Sequence, residues 1–144
     1  MSINRPNGIP STNDTERAER LRLVIEALNE INKKIPVIVE GKKDASALRK
    51  LGLVGEIIIL HRGKNIYDFC SEIEEIFPGV IILVDWDKSG DNLHKTLSEY
   101  LKGRWEKFSW FRDLLKMLCQ KDISDIEGIP KLIRRLEGDK NPWR

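Results

Sequence analysis

With 144 residues, the chain has the length of one folded domain and enough material to bury a sizeable core. Hydrophobic residues form 40% of it and charged residues 33%, which argues against a disordered chain, and the longest apolar runs, Ile57–Leu60 and Val80–Val84, fall far short of the roughly 20 residues of a membrane helix. Lys and Arg number 25 against 23 Asp and Glu, so the net charge of +2 exerts no global pull on nucleic acid, and any such case has to be local.

Met1–Pro10 has no apolar signal-peptide region. Cys70 and Cys119 fall on the apolar stripes of separate predicted helices, with no second Cys or His at metal-ligand spacing. They read as buried thiols, and together these features point to the cytoplasm.

Residues 1–12, rich in Asn, Pro, Ser and Gly, are expected to form a flexible tail. Asn13 with Glu16 suggests a capping pair, and Ala18, Leu21, Val24, Ile25, Leu28 and Ile31 recur at helical spacing, so residues 13–34 are predicted to be an N-terminal helix ended by Pro36. Pro36–Glu40 (PVIVE) is apolar until its last residue, as in a strand covered on both faces. The pattern then repeats. Asp44–Leu51 predicts a helix, Glu56–Leu60 a strand, Phe69–Ile76 a helix, Val80–Val84 a strand and Leu93–Leu101 a helix. Short strands alternating with helices imply a parallel sheet, and residues 35–102 are read as an α/β core. Residues 103–144 are expected to be an extension packed on the same domain. In it Trp105–Trp110, which lacks a helical stripe, reads as a fourth strand, Phe111–Leu118 as a helix, and Ser124 with Glu127 as a capping box before a last helix that Pro130 divides from its turn.

In an open parallel sheet ligands gather beyond the carboxyl ends of the strands, and the acids lie there. Glu40 ends the first strand, Asp85 ends the third, and Asp87 follows two residues later. Residues two apart in an extended segment point the same way, so Asp85 and Asp87 are expected to aim together while Trp86 faces elsewhere. If the two strands are neighbours, three carboxylates meet, and such hard oxygen donors suit Mg²⁺, with Mn²⁺ as the alternative. Gly41 and Gly90 are expected to allow tight exits and close approach of a phosphate. Single acids at strand ends also serve as helix caps; it is the joint placement that favours a metal site.

The segments VEGKKDASAL, beginning at Val39, and DWDKSG, Asp85–Gly90, resemble the two signature segments of Toprim domains. The form EGK-x-D-x-x-A-L is similar to that of ribonuclease M5, and the size and flanks to those of the small stand-alone archaeal Toprim proteins. The resemblance covers about half the chain, from Pro36 to Leu101. It implies a Toprim-like, Rossmann-like parallel sheet of about four strands with helices on both faces. It also implies a Mg²⁺-dependent protein that acts on RNA or DNA, with nuclease activity the leading expectation and a nonenzymatic binding module the alternative. On this resemblance Glu40 matches the general acid or base, Asp85 and Asp87 match the aspartates that hold the metal, and Gly90 matches the last position of D-x-D-x-x-G. No domain bearing a nucleophilic tyrosine accompanies the motifs, which argues against a complete topoisomerase.

Lys42, Lys43, Arg62, Lys64 and Lys88 follow predicted strands and are candidates to ring the acids and meet a nucleic-acid backbone, although Asp44, Glu56 and Asp91 dilute them. Lys42 and Arg62 are the first choices. His61 reads as an incidental loop residue, His94 as a surface residue, and Asp91 as the cap of a helix beginning there, with an outer metal ligand as its other reading. Trp105, Phe108 and Trp110 are expected in the core. A phosphatase of the haloacid dehalogenase type, with Asp85 as nucleophile, is disfavoured because that family places its nucleophile on the first core strand whereas Asp85 ends the third.

Overall fold

The computed structural model describes residues 12–60 and 63–138, a mixed α/β fold. Helix α1 (Thr12–Asn32) leads through Pro36 into β1 (Val37–Val39), followed by α2 (Lys42–Lys50), β2 (Ile57–Ile59), α3 (Ile66–Ile76), β3 (Ile81–Ile82), α4 (Lys88–Tyr100), α5 (Ser109–Cys119) and α6 (Ile129–Leu136). The three strands are parallel in the order β2-β1-β3, with Val37 opposite both Ile57 and Ile81. Ladder bonds run past these short cores, from Leu60 N–H to the Val39 carbonyl and from Leu83 N–H to the Ile38 carbonyl.

The strands are apolar throughout because helices cover both faces. Val37, Val39, Ile81 and Leu83 join the core made with α1, α5 and α6, whereas Ile38, Val80, Ile82 and Val84 face the other way into the core made with α3 and α4. Phe111, Leu115, Leu21 and Leu28 are fully buried on the first side, each contributing about 1.5–3 kcal/mol of burial free energy. Asn32 fastens the end of α1 to the sheet: its amide donates to the carbonyls of Ile35 (3.1 Å) and Glu56 (2.9 Å) and accepts the Gly55 N–H (2.9 Å). Asp122 ties α1 to α6 by accepting from Arg17 and Arg135, each at 2.7 Å.

Three strands, not about four, are present among the described residues. Trp105–Trp110, expected as the fourth, is a 3-10 turn over Glu106–Phe108 running directly into α5. The Glu106 carboxylate accepts the N–H groups of Gly103 (2.9 Å) and Trp105 (3.2 Å), which winds the segment tightly, and Gly103 takes φ 86°. A single short turn is too brief to show a helical period, hence the misreading. Trp105 packs on the α3/α4 side with its indole N–H on the Ser98 carbonyl (2.9 Å).

Other boundaries also moved. Asn13 lies inside α1 rather than ahead of it, and the expected tail lies outside the described residues apart from Thr12. No side chain caps α6; Pro130 occupies its first turn rather than dividing it from the turn, and Asp125 instead accepts the Gly128 N–H at 2.8 Å. Among the described residues no helix is long and apolar enough to cross a membrane.

Candidate functional site

Because β1 is central and β3 is its neighbour, the ends of these strands lie side by side. Continuing their register sets Glu40 opposite Val84, one residue before Asp85. The Glu40 carboxylate accepts the backbone N–H of Asp85 at 3.4 Å, so the two residues are neighbours at the sheet edge. Asp44, in the first turn of α2, joins them from below: it is buried, and its carboxylate accepts the Gly41 N–H at 3.1 Å.

The segment that carries Asp85 is held from the C-terminal part of the chain. Buried Arg112 of α5 donates to the carbonyls of Val84 (2.9 Å) and Asp85 (2.5 Å) and to the Asp91 carboxylate (2.8 Å). Trp86 is buried, with its indole N–H on the Ile123 carbonyl (2.8 Å) and its backbone N–H on the Ser124 carbonyl (3.0 Å). The Asp85 carboxylate in turn accepts the Ile126 N–H at 3.0 Å.

Asp85 and Asp87 accept different backbone N–H groups. Helix α4 begins at Lys88, and Asp87 is its cap, turning its side chain back to accept the Gly90 N–H at 2.7 Å. Helix-start geometry therefore replaces the extended alternation that the two-residue spacing implied. The cap role expected of Asp91 belongs to Asp87; Asp91 lies one turn into α4 and pairs with Arg112 instead.

Charge crowding marks the edge. Burial pushes the Asp85 carboxyl up to about 7, and the carboxylates of Asp44, Glu40 and Asp125 add to the push. Burial also raises Glu40, with Asp44 and Asp87 acting in the same direction, and raises Asp44, with Glu127 and Asp125 behind it. The donors are all oxygen and short of positive charge, which is the chemistry a hard divalent cation satisfies. As the side chains stand, each answers a backbone N–H, and among the described residues no three His, Cys, Asp or Glu groups are gathered closely enough to hold a metal ion.

The basic candidates separate. Lys42 and Lys88 are exposed at the first positions of α2 and α4, beside the acids. The Lys64 ammonium is taken by Glu72 of α3 at 2.6 Å. Arg62 and His61 lie outside the described residues. Gly90 is buried, and a Cβ on it would fall 2.1 Å from the Asp85 carbonyl oxygen, so packing against the strand end demands glycine there. Gly41 is extended (φ −149°) and its Cβ position is roomy, so no tight exit requires it. His94 is half-buried against Trp105 (5.4 Å between centroids) rather than on the surface, and burial lowers its pKa. Trp110, expected in the core, is 42% exposed and stacks on Phe111.

Sequence reasoning missed Arg112 and the Ile123–Ile126 loop as supports of the site. Arg112 sits on the same helical stripe as Leu115 and Cys119, and an arginine on an apolar stripe was the available signal.

No family model matches the chain. Over 123 residues it is 34% identical to a UPF0292 protein of Methanosarcina acetivorans, an alignment covering 84% of this chain and 85% of that one. It is 38% identical over 124 residues to a UPF0292 protein of Pyrococcus horikoshii, covering 84% and 89%. Among solved structures, a putative protein from Aquifex aeolicus matches with a TM-score of 0.60 and 31% identity, over 74% of this chain and 95% of that one. By its extended similarity to these relatives, the chain belongs to the UPF0292 family.

Proposed function

We propose that this protein is a Mg²⁺-dependent, Toprim-like phosphoryl-transfer enzyme that cleaves nucleic-acid phosphodiesters in the cytoplasm. The observation that carries the reading is the meeting of Glu40 with Asp85 at adjoining strand ends, 3.4 Å from carboxylate to backbone N–H, in a setting that pushes the Asp85 carboxyl up to about 7. Glu40, Asp85 and Asp87 would hold the cation only after turning from the backbone N–H groups that they accept in this structure. Bound Mg²⁺ supplies neutralisation of charge on the phosphate oxygens and orientation of the attacking water. Glu40, whose pKa burial raises, is suited to holding and releasing a proton. Lys42 and Lys88, exposed beside the acids, are suited to the phosphates flanking the cleaved bond. The resemblance of the EGK and DWD segments to Toprim signatures supports the same reading, and the buried Cys70 and Cys119 thiols support the compartment.

Cleavage of labelled RNA and DNA panels with Mg²⁺ or Mn²⁺ tests it. Glu40→Gln and Asp85→Asn are each expected to lower the rate at least 100-fold; undiminished cleavage by both variants would sink the reading. A nonenzymatic nucleic-acid-binding module is the second reading, favoured by one observation: the three carboxylates are each engaged by a backbone N–H rather than gathered as ligands. Salt-sensitive binding with no turnover under any divalent cation would establish that reading instead.

A further inference from the structure

A groove runs between α2 and α6, walled by Lys43 and Lys50 on one side and Lys131 and Arg134 on the other, with Asp125 and Glu127 also in its lining. Lys43 and Lys50 are seven residues apart on α2, two helical turns on one face, and Lys131 and Arg134 are three apart on α6, again on one face. Arg22 completes the wall, its guanidinium already held by Glu137 at 2.5 and 2.6 Å. Cationic side chains therefore outnumber acidic ones five to two in this lining.

The two acids belong to the loop that also supports the site. Asp125 adds to the charge crowding on Asp85 and Asp44, and Glu127 to that on Asp44. Ile126, between them, donates its N–H to the Asp85 carboxylate at 3.0 Å, so the acidic end of the groove adjoins the carboxylate edge. Its volume, about 1210 Å³, exceeds the roughly 300–1,000 Å³ of sites that enclose small ligands, and it is open-sided, so an extended polymer suits it better than a metabolite.

We propose that this α2/α6 groove is the track along which a nucleic-acid backbone enters the carboxylate edge. This inference rests on the phosphodiesterase reading for its destination, and on the lysines alone for its binding. Lys43 to Lys50 spans about 10 Å of helix, which is about three phosphate steps of a stacked strand at roughly 3.4 Å each. Asp125 and Glu127 repel an acidic peptide and a phosphate backbone alike, and competition by polyglutamate separates the two occupants. A phosphodiester arriving there is what a cation at that edge would act on.

The test is fluorescence anisotropy of 20-nucleotide RNA and DNA probes, single- and double-stranded, across a salt series in EDTA, so that binding is read apart from any metal. The triple variant Lys43→Gln, Lys50→Gln, Lys131→Gln is expected to bind at least tenfold more weakly and to lose about 2–3 from the log–log salt slope, at roughly 0.7–0.9 per phosphate contact. A charge-matched triple change outside the groove lining, Lys95→Gln, Lys102→Gln, Lys107→Gln, is expected to stay within twofold. Should the first triple variant unfold, the single reversal Lys50→Glu at an exposed position is expected to weaken binding at least threefold. Wild-type affinity and slope in the groove variants, no binding of any probe, or equal displacement by polyglutamate would each overturn the proposal. Absence of cleavage under any divalent cation while the lysine variants lose binding would instead remove the phosphodiesterase reading and leave the groove standing.

Discussion

The two loops that carry the acids to the sheet edge differ in how far their support comes from local bonds. Between β1 and α2 a local bond is present, Asp44 reaching back three residues to the Gly41 N–H at the start of its own helix, beside remote ones from Glu40 to the Asp85 N–H and from Asp44 to the Glu127 backbone. Between β3 and α4 the support is remote: the groups that fix Val84, Asp85 and Trp86 come from 27 to 41 residues further along the chain. The contrast teaches that α5 and the loop before α6 are part of the scaffold of the site rather than an appendage to a finished core. Arg112 is the extreme case, a buried guanidinium whose three bonds all serve the end of β3 and the start of α4.

The largest effect is therefore expected at the remote brace. Arg112→Met should cost about 3–4 kcal/mol in urea unfolding, because it strips the Val84 and Asp85 carbonyls of their charged donor inside the protein. Asp44→Asn, at the start of α2, should cost less than about 1 kcal/mol, since burial already favours the neutral form of that side chain. Equal costs for the two changes would erase the distinction between the loops.

Next come the two glycines. Gly90→Ala puts a methyl group against the Asp85 carbonyl and should cost about 2–3 kcal/mol. Gly41→Ala, at an extended residue whose nearest neighbour to a new Cβ is 3.9 Å away, should change stability by less than about 0.5 kcal/mol. Thermal and urea melts of the pair show whether the exit from β3 is the tightly packed one.

The pH response sharpens the same comparison. Asp85 has its folded pKa pushed up to about 7 from an ordinary 3.8, so between those values the folded protein binds more protons than the unfolded chain, and stability falls as pH rises. Below about pH 4 both forms are protonated and the penalty is gone. Asp85→Asn removes it and keeps an oxygen for the Ile126 N–H. The variant should be more stable than wild type by about 2 kcal/mol at pH 8, half the full conversion of the shift because the residue is only half-buried, and equal to it near pH 4. A variant less stable than wild type at pH 8 would mean that Asp85 is not held under electrostatic stress.

What was legible in the sequence follows from the range of the interactions. The alternation of strands and helices from Pro36 to Leu101 could be read because the apolar runs at Val37–Val39 and Val80–Val84 record burial on both faces of one sheet, and Ile57–Ile59 records half-burial at its edge, a property each segment carries by itself. The adjacency of Glu40 and Asp85 was foreseen as conditional on strand order, and β1 beside β3 meets that condition. Glu106 folding back onto Gly103 was not foreseen, since a carboxylate closing a turn leaves no periodic trace, and so Trp105–Trp110 was misread as a strand. The cap role of Asp87 was missed because extended alternation was carried one residue past the point where α4 starts. The contacts of Arg112, Ile123 and Ile126 depend on how α5 and α6 pack against the sheet, which no local pattern encodes.

Isothermal titration of Mg²⁺ and Mn²⁺ into the wild-type protein, Asp85→Asn and Glu40→Gln at pH 8 tests the central claim most directly. The account predicts one saturable site in the wild type and at least tenfold weaker binding in each variant. Superimposable isotherms for all three proteins, or no heat of binding in the wild type, would contradict it.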